Sequence, residues 1–123
     1  MSKIRIGIVG SGGMAGSHAE RFSGLDVAEV VAIASRNTQT GAQLAEQYGV
    51  EFVPDWQELV KRDNLDGIVI CTHNDSHGEI AIAALRADKH VFTEYPLASL
   101  IDEAETAIEL AKSRGRVLRA SHS

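Results

Sequence analysis

Between residues 10 and 16 the chain reads Gly10-Ser11-Gly12-Gly13-Met14-Ala15-Gly16, a stretch of backbone almost bare of bulky side chains. Gly10, Gly12 and Ala15 fit the spacing G-x-G-x-x-G/A. The first glycine permits a tight turn, and the second lets a diphosphate approach the backbone. The small third position lets a helix settle on the preceding strand. A helix starting here would offer unsatisfied amides and a partial positive charge to phosphate oxygens, with Ser11, Gly13 and Met14 beside them. A Walker-type loop is excluded, because no Lys-Ser/Thr follows the glycines. The competing reading is that the glycines only shape a turn, as in a flavodoxin-like fold.

A second chemical position lies about 20 residues on, where a dinucleotide site for NAD places an acid to accept from the adenosine ribose. Here the chain reads Ala34-Ser35-Arg36-Asn37, without a carboxylate. An acid would repel a 2′-phosphate, whereas Arg36 attracts one and Ser35 can donate to it. The expected cofactor is therefore NADP(H), with NAD(H) or dual use left open. Arg36 could instead stack on the adenine face or stand as a solvated loop charge.

These residues need elements to hold them. Ile4, Ile6, Ile8 and Val9 form a strand that runs into the glycines, and Met14 to Phe22 form a helix with Ala15, Ala19 and Phe22 on one face. Val30 to Ala34 is a strand apolar on both faces, as in a parallel sheet covered by helices. Thr38 or Thr40 is expected to cap a helix to Tyr48, which Gly49 closes. Glu51 to Val53 is a short strand. Asp55 caps a two-turn helix to Lys61, with Glu58 completing the capping pattern. Strands at Gly67–Cys71, Lys89–Thr93 and Arg116–Arg119 alternate with helices at Ser76–Ala87 and Leu100–Ser113. In the last helix Ile101, Ala104, Ile108 and Ala111 are expected to face inward. This alternation predicts right-handed βαβ units and an α/β fold: a doubly wound parallel sheet of about six strands, three layers deep.

Composition agrees with one such domain. The 123 residues are 44% hydrophobic and 24% charged, with a net charge of −5. That apolar share can bury a core, so disorder is not expected. No apolar run approaches the ~18 residues of a membrane span, and the run before the glycines is too short for a signal peptide. The single Cys71 cannot form an internal disulfide, and a cytoplasmic setting is expected. The acidic balance argues against nucleic acid as a partner.

Several runs together resemble the N-terminal half of the glucose–fructose oxidoreductase/inositol dehydrogenase (Gfo/Idh/MocA) family. They are the glycine turn with His18-Ala19, Ala34-Ser35-Arg36, Ala45 to Val50, Asp66 to Thr72, Asn74 to His77, and Lys89 to Leu97. The resemblance spans the whole chain. It implies an NAD(P)-dependent oxidoreductase acting on sugars, polyols or related carbonyl compounds. It also implies a C-terminal α/β domain, absent from these 123 residues, that supplies the substrate contacts. By the same resemblance Thr72, His73, Asn74 and His77 line the nicotinamide side, and Glu94 contacts the nicotinamide ribose. Two departures stand out. The family's Thr-Pro-Asn reads Thr72-His73-Asn74, and its Glu-Lys-Pro reads Glu94-Tyr95-Pro96, as in the biliverdin reductase branch. Tyr95 can still donate a hydrogen bond, but its neutral form carries no charge to stabilise an alkoxide. It is thus a candidate, weaker acid/base group, or it packs beside Pro96.

Other clusters are read as structural. His73 and His77 lack a third ligand nearby, so no metal is expected. His18 is expected to be packed or to sit beside the cofactor. Cys71 reads as a small hydrophobe, Trp56 and Phe52 as core or rim rather than a stacking platform, and Glu103, Glu105 and Glu109 as a solvated face. The leading expectation is a cofactor-binding domain that turns over poorly by itself. The alternative is a non-catalytic NAD(P)-binding, redox-sensing module. A flavin domain is disfavoured, since no isoalloxazine pocket is evident. Surface left bare by an absent domain could drive self-association.

Overall fold

The computed structural model describes residues 3–10, 13–24, 26–72, 76–94 and 101–121. Six strands alternate with five helices: β1 (Ile4–Val9), α1 (Gly13–Ser23), β2 (Ala28–Ala34), α2 (Thr38–Tyr48), β3 (Glu51–Val53), α3 (Trp56–Val60), β4 (Gly67–Ile70), α4 (His77–Arg86), β5 (His90–Glu94), α5 (Ile101–Arg114) and β6 (Leu118–Ser121). All strand pairs are parallel, in the order β3-β2-β1-β4-β5-β6. The order reverses between β1 and β4, and that is where an open α/β sheet offers a crevice.

The strands bury both faces, which explains their unbroken Ile/Val/Ala runs. On one face Ile6, Ile8, Val30, Ile33 and Val69 meet Ala15 and Ala19 of α1 and Ala45 of α2. On the other, Ala32, Ala34, Ile68 and Ile70 meet α3, α4 and α5 through Leu59, Ile80, Ala84, Leu85 and Ala107. Two helices on one side and three on the other make the expected three layers. Gly7 is part of this packing. A side chain there would press on Leu65 at 2.8 Å, so the second face closes directly over the backbone of β1.

The local signals mostly act as the sequence suggests. Gly49 ends α2 in the left-handed conformation, with φ +67°. Asp55 caps α3 by accepting from the Gln57 amide at 2.9 Å. Three details differ. Neither Thr38 nor Thr40 caps α2; Asn37 does, its Oδ1 accepting from the Thr40 amide at 3.0 Å. An extended asparagine just outside the helix meets the N3 amide better than a threonine inside it. Glu58 does not reach back to the α3 cap, because its carboxylate takes Arg62 at 3.1 Å. In α5, Ala111 is buried as expected, but Ile101 and Ile108 are 77% and 45% exposed and Ala107 is buried in their place. The small alanine stripe lets α5 lie close to α4, turning both isoleucines outward. Among the described residues no helix is long and apolar enough to cross a membrane.

Candidate dinucleotide site

A crevice of about 680 Å³ opens at the carboxyl ends of β1, β2, β3 and β4. Val9 and Gly10 form its floor. Ser35, Arg36 and Asn37 border one side, Cys71, Thr72 and Ser76 another, and Pro54 to Gln57 the far wall.

Gly10 has φ +123°, a conformation that side-chain-bearing residues rarely adopt. A Cβ there would meet the Cys71 carbonyl oxygen at 2.7 Å. The Gly10 amide donates to the Ala34 carbonyl at 2.7 Å, and the Cys71 amide to the Val9 carbonyl at 2.8 Å. Three strand ends are therefore locked around one bare backbone position. Immediately beyond, α1 begins at Gly13, and Ala15 is fully buried beneath it. The small third position of the glycine motif thus allows the close packing of helix on strand. Neither α1 nor α2 carries an acid in its first turn, whereas α3, α4 and α5 each do. The two helix starts that follow β1 and β2 therefore offer amide charge to an anion with no carboxylate in their own first turns.

At the end of β2, Ser35 is buried and its hydroxyl oxygen accepts from the Asn37 amide at 3.2 Å. Gly41 permits this fit, since a Cβ on it would meet Ser35 Cβ at 2.8 Å and Phe52 Cε1 at 2.5 Å. Arg36 is exposed, and among the described residues no salt bridge engages it. At the end of β4, the Ser76 hydroxyl donates to Thr72 Oγ1 at 3.0 Å. His77 is fully buried and its Nε2–H donates to the Thr72 carbonyl at 2.8 Å. The structure thus places His77 behind Thr72, holding that loop from inside.

Of the residues expected at the site, Gly10, Ser35, Arg36 and Thr72 come together in the crevice. Ala15 and His77 lie beneath it. Gly13, Met14 and Glu94 are described by backbone only, at the start of α1 and the end of β5. Ser11, Gly12, His73, Asn74 and Tyr95 lie outside the described residues. His18 is buried against the rings of Phe22 and Phe92. The sequence reading missed the whole far wall, Pro54 to Gln57, and Cys71 as a lining residue. The available signal was topological: β3 also ends at this edge, so the residues after it must face the same space.

A six-stranded parallel sheet in this order, with a bare turn after its first strand, defines a dinucleotide-binding domain. The comparisons narrow it. The model of the oxidoreductase family GFO_IDH_MocA, NAD-binding Rossmann fold, matches residues 4–122, and the chain belongs to that family. The chain is 33% identical over 121 residues to a 4-carboxy-2-hydroxymuconate-6-semialdehyde dehydrogenase from Sphingobium sp., covering 98% of this chain and 38% of the relative. It is 33% identical to an inositol 2-dehydrogenase from Rubrobacter xylanophilus, covering 94% of this chain and 34% of that enzyme. Among solved structures, a biliverdin reductase from Synechocystis sp. in complex with biliverdin and NADP+ superposes with a TM-score of 0.93 at 36% identity, covering 96% of this chain and 37% of that one. The chain therefore spans a little over a third of the length of these relatives. It is an NAD(P)-binding oxidoreductase domain.

Proposed function

We propose that this chain is the cofactor-holding part of an oxidoreductase that moves a hydride between NADP(H) and a sugar, polyol or related carbonyl compound. The turn at Gly10 carries the reading: its φ of +123° and its contact with the Cys71 backbone, too close for any side chain, bring the ends of β1 and β4 together at the crevice where α1 begins, as a dinucleotide turn requires. A bound nicotinamide supplies the hydride acceptor or donor. The chain's own residues bind and orient it. The amides at the start of α1 take the diphosphate, and Thr72, held by His77 and Ser76, borders the nicotinamide side with His73, Asn74 and Glu94. Tyr95 donates a hydrogen bond to the reacting oxygen, a weaker role than a charged lysine would play. Substrate contacts belong to a further α/β domain, and the chain alone binds cofactor with little turnover.

NADP(H) is favoured because Ser35 and Arg36 close β2 without an acid, and α2 starts beside them without one. The inositol dehydrogenase among the relatives supports the polyol class, and the NADP+ complex of the biliverdin reductase supports the cofactor. Calorimetry with NADP+ and NAD+ tests the reading. One charge-assisted hydrogen bond is worth roughly 1.5–3 kcal/mol, so NADP+ should bind about tenfold tighter or better. Equal affinities would remove the preference, and no heat from either would remove the dinucleotide site.

The tyrosine at 95 favours a second reading, a redox-sensing module. A sensor must bind NADPH and NADP+ with unequal free energy to shift any equilibrium. Equal affinity for the two would leave the enzyme reading standing.

A further inference from the structure

We infer that Trp56 is the platform on which the base of the nucleotide stacks, an assignment that rests on the dinucleotide reading above. Trp56 is the only tryptophan of the chain. It opens α3, where Pro54 restricts the entering backbone and Asp55 caps the helix through the Gln57 amide. The ring is half-buried. It packs against the core beneath α3 and α4, and it also borders the crevice. Leu59 and Val60 of the same helix are fully buried. The largest apolar side chain of α3 is thus the one left partly open, on the rim between this crevice and a second hollow beside α4.

Sheet order fixes which part of the nucleotide it can meet. The diphosphate turn follows β1, and β2 and then β3 lie successively to one side. Strand spacing puts the end of β3 about 10 Å from the end of β1. Ser35 and Arg36, set between them, meet the adenosine ribose. The base must therefore lie beyond that ribose, against the wall formed by Pro54 to Gln57. Arg36 borders the same end of the crevice, so a flat ring there meets a guanidinium and an indole, both good stacking partners for a purine. Gln57 is exposed on that wall and carries an amide able to donate and accept, as the edge of adenine requires.

A single tryptophan makes the assignment directly readable by fluorescence. Titrating ADP into the 123-residue chain is expected to give a saturable loss of Trp56 emission, while nicotinamide mononucleotide leaves the emission unchanged. Trp56→Ala is expected to weaken NADP+ binding about tenfold by calorimetry, the worth of one stacked base. Trp56→Phe, which keeps a ring and spares the packing of α3, should retain most of the affinity. The assignment is overturned if ADP binds with measurable heat yet leaves the emission unaltered. It is equally overturned if nicotinamide mononucleotide quenches as strongly as ADP, or if both variants bind NADP+ as tightly as the unaltered chain. No heat with ADP or NADP+ would overturn the dinucleotide reading together with this one.

Discussion

At the amino-terminal edge of the sheet, charged side chains engage one another. Arg5 meets Asp66 at 3.1 Å, and the same carboxylate accepts from the Arg5 amide at 2.8 Å. Arg62 bridges Glu51 and Glu58 at 2.8 and 3.1 Å, and Arg114 meets Asp88 at 3.0 Å. The Lys89 ammonium is buried and donates to the Arg62 carbonyl at 2.6 Å. At the carboxyl-terminal edge the same sheet presents Gly10, Ser35 and Thr72, all uncharged, with Arg36 left exposed; of the acids there, Asp55 on the far wall accepts from the Gln57 amide and Glu94 ends β5. One edge satisfies its charge internally, as a surface that only stabilises can do. The other leaves amides and a cation available, as a surface that receives an anion must. Among the described residues, Arg5, Glu51, Arg62, Asp66 and Lys89 have displaced ionisation, and they stand at the amino-terminal edge.

The contrast breaks most severely at Gly10. Gly10→Val is expected to abolish measurable NADP+ binding, since its side chain would press on the Cys71 backbone and displace the turn that leads into α1. The strain at φ +123° costs roughly 1–3 kcal/mol, which should lower the melting temperature by several degrees. Gly49→Ala is the control: its φ is also positive, at +67°, but nothing lies within 4 Å of a Cβ there. It should cost about 1 kcal/mol and leave binding unchanged. Calorimetry and thermal melts on both variants separate a site glycine from a capping glycine.

Arg36→Glu is the next largest change. It places a carboxylate where a 2′-phosphate is proposed to sit. The NADP+ to NAD+ preference should fall at least tenfold, with a melting temperature close to the starting value, because surface substitutions away from packing stay within about 0.5 kcal/mol. An unchanged ratio would assign Arg36 to base stacking alone. At the opposite edge the pattern inverts. Asp66→Ala removes three hydrogen bonds from Arg5, yet both side chains are about two-fifths exposed. With solvent screening the cost is expected to be about 1 kcal/mol in a denaturant titration, with no change in NADP+ affinity.

The sequence made the carboxyl-terminal edge legible because its requirements are local. A bare turn, a small residue three positions on and a missing acid each act within a few residues; Gly10 and Ser35 border the crevice and Ala15 is buried under α1. The far wall was not legible in the same way. Nothing within Pro54-Asp55-Trp56-Gln57 distinguishes a rim from a site until β3 is seen to end beside β2. The amino-terminal edge was less legible still. Arg5 and Asp66 are 61 positions apart, and only the parallel pairing of β1 with β4 brings them together. Ile101 and Ile108 misled for a related reason. Helical spacing identifies an apolar stripe, and its Ala111 is buried, but beside Ile108 it is Ala107 that enters the core.

The smallest effects sharpen the comparison by pH. The hydrogen bonds from Arg5 hold the Asp66 carboxyl below the usual carboxylate range, and Arg62 does the same for Glu51. In the window between each lowered value and the ordinary one near 4, the unfolded chain binds a proton that the folded chain does not. Their stabilisation is therefore complete above that ordinary value and is lost as pH falls through the folded one. Asp66→Asn should flatten the acid limb of stability against pH, and only in part, since Glu51 keeps the same sign. Nucleotide affinity should respond elsewhere. A phosphate monoester loses its second charge near pH 6, so NADP+ binding at Ser35 and Arg36 should weaken as pH falls through about 6, while NAD+ binding does not. Two acid responses, one in folding below about 4 and one in binding near 6, would mark the two edges as separate. A single shared transition would mean that the proposed phosphate site and the ion-paired edge are one coupled system.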